Sequence, residues 1–178
     1  MATDKLNNAL EKVGMCYGDL VKIANDMLND VVSPAKALIR EQLDKNINSL
    51  SIDALRDYMW QLQVQSFNLS EIKEKAVFKA DLADALQKEA YAIKFNEIEG
   101  SAAVKEKQAV VAVSEEILTE ILYSLCANLL KTTLDEIHRA IDALKSILMS
   151  RMQESKFMQV GQTSEIPGTT NGRIILNE

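Results

Sequence analysis

The chain has 178 residues, of which 47% are hydrophobic and 26% are charged, and its formal net charge is −6. This composition is that of a globular domain and excludes a disordered chain, while 6 glycines, 2 prolines and 5% aromatic residues leave little from which to build strands. The acidic balance disfavours non-specific binding of nucleic acid. The two cysteines are too few for a disulfide framework, and both are expected to pack as small hydrophobic side chains.

The first predicted element is a long amphipathic helix that begins at Thr3 or Asp4 and ends at Ser33. Its apolar residues alternate at steps of four and three, the spacing that keeps one seam toward a partner helix. They are Leu6, Leu10, Val13, Tyr17, Leu20, Ala24, Met27 and Val31. We predict that the first five of these, Leu6 to Leu20, form a partner or oligomer interface.

Three further helices follow in the sequence. Ser33 and Pro34 are predicted to end the first helix at a sharp corner and to open a second over 34–46. Ser51 is placed to cap a third helix, and Ser70 to cap a fourth that runs to about residue 99, where Gly100 marks a turn. The expected packing face of the fourth helix consists of Ile72, Ala76, Ala83, Leu86, Ala90 and Ile93.

The last helical region is predicted over 101–158, and it contains two apolar seams that are out of phase with each other. Either a continuous helix has a local irregularity near Asn128, or the helix breaks and a capping box at Thr133 opens a new one. We favour the continuous helix.

A polar tail covers residues 159–178, and its one apolar stretch is Ile174, Ile175 and Leu176. These three residues are expected either to dock onto their own bundle or to bind a neighbouring subunit or partner. The predicted organisation is therefore 1–69 as N-terminal helices, 70–158 as a long helical hairpin and 159–178 as an extended tail. The predicted fold class is all-α, an elongated helical bundle or coiled-coil-like hairpin with a polar C-terminal tail.

The residues that carry chemistry are sparse. The single histidine, His138, follows Asp135 by three positions, the spacing of helical di-metal sites, but such sites use the motif twice. The sequence has no phosphate-binding glycine loop after a strand and no nucleophile elbow. We therefore expect that the protein is not an enzyme and that it has no cofactor and no metal site. Trp60 is expected to lie in a core or an interface.

Four lysines lie close to the predicted turn at Gly100, on both sides of it. A helical hairpin would gather their ammonium groups at one end, where they could bind the phosphates of a nucleic acid. The alternative is an ordinary solvated face, neutralised by Glu97, Glu99 and Glu106. The candidate nucleic-acid-binding residues are Lys88, Lys94, Lys105 and Lys107.

Three short patterns carry a family resemblance: the residues of 70–74, the Ala-Ile-Lys step at 92–94 before Gly100, and the residues of 141–146. With them, the region 70–157 resembles the UvsY-like recombination mediators of tailed phages. The resemblance implies a ring-forming, non-enzymatic protein of the host cytoplasm that binds single-stranded DNA and a recombinase. It also implies that Lys94 is the first DNA contact, with Lys88 and Lys107 behind it.

The second interpretation is a structural or adaptor protein that makes protein contacts only, such as a phage assembly or virion component or an inhibitor of a host protein. Both interpretations expect a homo-oligomer. The first residues lack the apolar core of a signal peptide, and glutamates interrupt the most apolar run, Ala109 to Leu130. We therefore expect a soluble, cytoplasmic protein without a membrane partner.

Overall fold

The computed structural model describes residues 2–44 and 47–162, with side chains over 6–41, 47 and 49–156. This part of the chain contains five α-helices and no strand, so the predicted all-α class is confirmed. The helices are α1 (Ala2–Val13), α2 (Tyr17–Asp44), α3 (Ile52–Glu97), α4 (Ala102–Ala112) and α5 (Ser114–Gln162), with a short 3-10 helix at Ile47–Ser49. The predictions for Ile174, Ile175 and Leu176 lie outside the described residues.

A long antiparallel hairpin of α3 and α5 organises the fold. Ser66 contacts His138, and further along α3 Lys79 contacts Tyr123, so the partner positions on α5 fall as those on α3 rise. The turn between the two arms contains Gly100, whose φ of 128° lies in the region that favours glycine. The predicted hairpin around Gly100 is therefore present.

The larger of two hydrophobic cores lies between α2, α3 and α5. From α3 it buries Leu55, Leu62 and Leu69 at a spacing of seven residues, and Ala76 continues the same line. Heptad spacing of this kind is what a helix needs to keep one face on a partner. The other buried members of this core are Ala24, Leu28, Val32, Ala35, Cys126, Leu130, Leu134, Ile137, Ile141 and Leu144.

The smaller core lies at the turn end of the hairpin and is formed by α1, the start of α2, α4 and the start of α5. Only the partly buried Ala90 and Tyr91 reach it from α3. Its buried members are Ala9, Leu10, Leu20, Val110, Val113, Ile117 and Leu118.

The predicted continuous helix from Thr3 or Asp4 to Ser33 is wrong, because the helix is interrupted at Gly14. Gly14 has a φ of 68°, and the Met15 N–H donates to the Leu10 carbonyl across the end of α1 at 3.0 Å. The break changes the phase of the seam. Leu10 and Leu20 are buried and Leu6 is partly buried, whereas Val13, Tyr17 and Met27 are about half exposed.

The predicted corner at Ser33 and Pro34 is also wrong, since α2 runs through both residues to Asp44. A proline inside a helix costs about 3 kcal/mol, because it removes one hydrogen bond and crowds the preceding turn. Val32 and Ala35 flank Pro34 and are both buried in the larger core, so tertiary packing offsets that cost.

The predicted cap at Ser51 is present, whereas the one at Ser70 is wrong. The Ala54 N–H donates to the Ser51 hydroxyl at 3.1 Å and opens α3, which continues through Ser70 as one helix. The proposed division between residues 69 and 70 falls inside this helix. The sequence from 51 to 99 contains no glycine or proline that would end it.

The helix is continuous across Asn128, as predicted, and the alternative break at Thr133 is wrong. Thr133 is buried in α5, and its hydroxyl donates to the Leu129 carbonyl one turn earlier. The prediction of a single helix over 101–158 is nevertheless wrong, because the helix is interrupted at Val113, where α4 ends and α5 begins one residue later. The interruption lies 15 residues before Asn128, the predicted place of the irregularity.

Two side chains stabilise the break between α4 and α5. The buried Ser114 hydroxyl donates to the Val111 carbonyl at 2.7 Å, and the Lys12 ammonium of α1 donates to the same oxygen at 2.6 Å. A cation at the carboxyl end of a helix satisfies carbonyls that the helix leaves free. The break therefore depends on a tertiary contact with α1.

Candidate interaction face of α3

Two of the four candidate lysines are engaged by acids. Lys88 lies 2.6 Å from Asp84, and Lys94 lies 2.8 Å from Glu97. These hydrogen bonds raise the pKa of both lysines above the ordinary value. At Lys94 the structure shows the neutralisation by Glu97 that the sequence allowed.

The other two lysines, Lys105 and Lys107, form no ion pair with any residue that the structure describes. The Lys105 ammonium lies 5.9 Å from the ring centroid of Phe95, and that ring stacks on Tyr91 at 6.0 Å. The turn therefore brings Lys105 beside Phe95, the residue that follows Lys94. Lys88 lies earlier in α3, where it pairs with Asp84.

The single histidine contacts α3. Its Nε2 lies 3.0 Å from the Ser66 hydroxyl, a pairing of nucleophile and base that no sequence spacing indicated. Ser66 lies in the interior of α3, where the backbone N–H groups are used within the helix and cannot stabilise an oxyanion. The Ser66–His138 contact is best explained as a link between the two arms of the hairpin.

Metal ligands do not cluster in the part of the chain that the structure describes, where no group of three or more such side chains occurs. His138 and Asp135 are both exposed.

The most unusual surface of the chain is the outer face of α3. Seven large hydrophobic side chains point to solvent along this one helix, among them three aromatic rings that are 67% to 74% exposed. We call this set the outer stripe; its members are Trp60, Val64, Phe67, Phe78, Leu82, Leu86 and Ile93.

The outer stripe is a continuous face rather than a scatter of residues. At 3.6 residues per turn, all seven positions fall within an arc of about 100°. The buried residues of α3, from Leu55 to Ala83, lie on the opposite side of the helix, toward α5. Positions 60, 71, 82 and 93 repeat every 11 residues, a period close to that of an undistorted helix, so the stripe stays on one side over its whole length.

An ion pair interrupts the outer stripe near its middle. Lys75 lies 2.6 Å from Glu71, and this hydrogen bond holds the pKa of the Glu71 carboxyl below its usual range. Glu71 and Lys75 occupy the same arc as the apolar residues on either side of them. In chain order, this face therefore presents three apolar residues, then Glu71 and Lys75, and then four further apolar residues.

An apolar groove of about 730 Å³ adjoins the stripe, and residues of α2, α3 and α5 line it. Phe78 and Leu82 of the stripe line this groove together with Met27 of α2. Tyr123 and Cys126 of α5 form part of the lining, and Lys79 covers the Tyr123 ring at 5.4 Å.

The two cysteines differ in their surroundings. Cys126 is buried, as predicted, and burial raises the pKa of its thiol. Cys16 is exposed at the start of α2, so its predicted burial is wrong. Its backbone N–H donates to the Asp19 carboxylate at 2.7 Å, which places Cys16 at the helix end rather than in a packed interior.

Sequence reasoning missed the outer stripe because it merged two faces. The predicted packing face of the fourth helix joined Ala76 and Ala83, which are buried, to Leu86 and Ile93, which are about half exposed. Trp60, expected in a core or an interface, is not in the core of this chain. A search for an 11-residue repeat would have separated the two faces.

Comparison of this chain with protein-family models, with curated proteins and with solved structures yields no match. Among the described helices, none is both long enough and apolar enough to cross a membrane.

Proposed function

We propose that this chain is a non-enzymatic helical protein that assembles with other protein chains, its own copies included, as a structural or adaptor component. The outer stripe of α3 carries this proposal. Single exposed hydrophobic residues are normal on a protein surface, but a contiguous apolar face marks an interaction site. Exposed aromatic rings such as Trp60 and Phe67 are typical of the centres of protein interfaces.

The electrostatics of the lysines favour protein contacts over nucleic acid as the main function. Lys88 and Lys94 each have a carboxylate within 3 Å, so a phosphate would have to displace Asp84 or Glu97. The net charge of −6 adds a general repulsion of polyanions.

Solution mass tests this proposal most directly. Sedimentation equilibrium of the full chain over a roughly hundredfold range of concentration should give a mass above that of one chain, and the mass should fall on dilution. A single-chain mass at every concentration would overturn the proposed self-assembly.

Binding of single-stranded DNA at the hairpin turn is a second candidate function, as the UvsY-like resemblance implies. The observation that favours it is the Phe95 ring beside Lys105, because aromatic rings next to cations are the usual platform for unstacked bases. A recombinase partner would belong to this function.

Fluorescence anisotropy of a labelled single strand tests the second candidate. The logarithm of affinity should fall with the logarithm of salt concentration at a slope of about −0.7 per phosphate contact. Replacing Lys105 and Lys107 by Ala should reduce that slope, whereas replacing the exposed Lys131 and Lys156 on α5, an equal change of charge, should leave it unchanged. Absence of binding at low salt would remove this candidate.

A further inference from the structure

We infer that the outer stripe binds a second copy of this chain, with the two α3 helices antiparallel and related by a two-fold axis that passes between Glu71 and Lys75. This inference rests on the proposed function and specifies its partner and geometry. It follows from three properties of the stripe: its charge order, its apolar spacing and the groove beside it.

The charge order makes the stripe complementary to itself in one direction only. In an antiparallel pair with its axis between positions 71 and 75, Glu71 lies opposite the partner's Lys75, and Lys75 lies opposite the partner's Glu71. In a parallel pair in register, Glu71 would instead lie opposite the partner's Glu71, and Lys75 opposite the partner's Lys75. Charged residues within an apolar helix seam select register and direction in this way.

The apolar residues match in the same register. Val64 lies opposite the partner's Leu82, and Trp60 lies opposite the partner's Leu86, because the members of each pair are equally distant from the axis. Phe67 lies within one residue of a position opposite the partner's Phe78. A closed two-fold contact requires this correspondence, since the same patch must serve both subunits.

The groove provides room for the most exposed ring. Phe67 is 74% exposed on its own chain, and in the antiparallel register it lies close to the partner's Phe78, which lines the groove. That groove measures about 730 Å³, while a cavity of about 150 Å³ already holds a benzene ring.

The area available is of the size that a stable dimer needs. Each aromatic side chain can bury about 150–250 Å², so the three exposed rings alone offer on the order of 400 Å² per copy. A standard interface buries about 800 Å² per partner, and the four aliphatic members of the stripe supply much of the rest.

Charge reversal tests the register. Glu71→Lys and Lys75→Glu should each raise the dissociation constant of the dimer at least tenfold, because each places two pairs of like charges across the interface. Mixing the two variants should restore a heterodimer, and the double variant carrying both changes should dimerise like the natural chain. Sedimentation equilibrium measures all four samples, with circular dichroism to confirm that each variant is helical.

The matched control is Asp84→Lys. It makes the same change of charge and removes an ion pair of the same spacing and length, Asp84 to Lys88 at 2.6 Å, but lies off the stripe. Its dissociation constant should equal that of the natural chain. Phe67→Ser, which removes an exposed ring without opening a core, should weaken the dimer at least as much as Glu71→Lys.

The outcomes separate this inference from the proposed function. A natural chain that assembles, together with a Glu71→Lys variant that assembles equally well, would overturn the α3 pairing and leave the proposed function standing. Failure of the mixed variants to recover would also overturn the antiparallel register. A natural chain that stays single would overturn this inference together with the self-assembly in the proposed function.

Discussion

The two hydrophobic cores are built by different means. The larger core is built from long helices, and along α3 it buries Leu55, Leu62 and Leu69 completely. The smaller core joins the short helices α1 and α4, which end at Gly14 and Val113, to the first turns of α2 and α5. Helix α3 reaches it only with partly buried residues.

This contrast between the cores explains how α3 can carry two apolar faces. Burying a leucine contributes about 1.5–3 kcal/mol, and an alanine contributes much less. From Ala76 onward the buried residues of α3 are the alanines Ala76 and Ala83, followed by the partly buried Ala90 and Tyr91. The outer face over the same stretch carries Phe78, Leu82, Leu86 and Ile93. Along this half of the helix the outer face is the more hydrophobic of the two, which is why it is the better candidate for a second partner.

Truncating one buried leucine in each core should change the free energy of unfolding more than any other substitution considered below. Leu62→Ala in the larger core should lower the free energy of unfolding by about 3–5 kcal/mol, since the long helices around it cannot move in to fill the cavity. Leu20→Ala in the smaller core should cost about 2 kcal/mol, because the short helix α1 can shift toward it. Urea unfolding followed by circular dichroism measures both, and an equal or larger loss at Leu20 would contradict the comparison.

Arg151 tests the larger core at the end where the chain passes from α2 to α3. Its guanidinium donates to the carbonyls of Leu50 and Ile47, the latter at 3.0 Å, and so holds the connection between α2 and α3. Arg151→Met keeps the apolar stem but removes the charged donors, and should cost about 2 kcal/mol. The exposed Arg139→Met on the same helix is the control, and a similar loss there would show that charge alone is responsible.

The helix caps give a smaller effect with a matched pair. Ser51→Ala removes the hydroxyl that accepts from the Ala54 N–H and should cost about 1 kcal/mol in chemical unfolding. Ser101 holds the same position before α4 but makes no side-chain cap hydrogen bond. Ser101→Ala should therefore change the free energy of unfolding very little, and equal losses at the two serines would refute the assigned role of Ser51.

The smallest effect concerns pH at the break beside the smaller core. The Cys16 N–H donates to the Asp19 carboxylate, which holds the pKa of that carboxyl below its ordinary value. A lowered pKa in the folded state means that the stabilisation is complete above the ordinary carboxyl range and is lost as pH falls through the folded value, below about pH 4.

Asp19→Asn should therefore lose less stability than the natural chain when unfolding is compared at pH 6 and pH 3. Asp26→Asn, an exposed change on the same helix, should follow the natural chain. If Asp19→Asn also follows the natural chain, the Cys16 contact contributes nothing to folding.

Much of the local structure was predictable from the residues. Ser51 capped α3 as expected, and the absence of glycine and proline from 51 to 99 left nothing to interrupt it. The pairing of Asp84 with Lys88 was also implicit in their spacing of four along a helix. Local rules suffice here, because both partners in each case lie within one turn of the same helix.

Pro34 and Val113 show where local rules fail. Pro34 carries a strong local preference for a helix end, yet α2 continues because Val32 and Ala35 are buried against other helices. Val113 carries no such preference, yet α4 ends there beside a contact from Lys12, about 100 residues earlier in the chain. Neither outcome is contained in the neighbouring residues.

Helix periodicity predicts the all-α class that the described residues show, and Gly100 predicts the turn of the hairpin, because both are local properties of the chain. Packing against the other helices settles which apolar face of α3 meets α5 and which remains outside. Both faces have helical spacing, so periodicity cannot rank them. The choice depends on the summed fit of Leu55, Leu62 and Leu69 against residues of α5 far away in the chain.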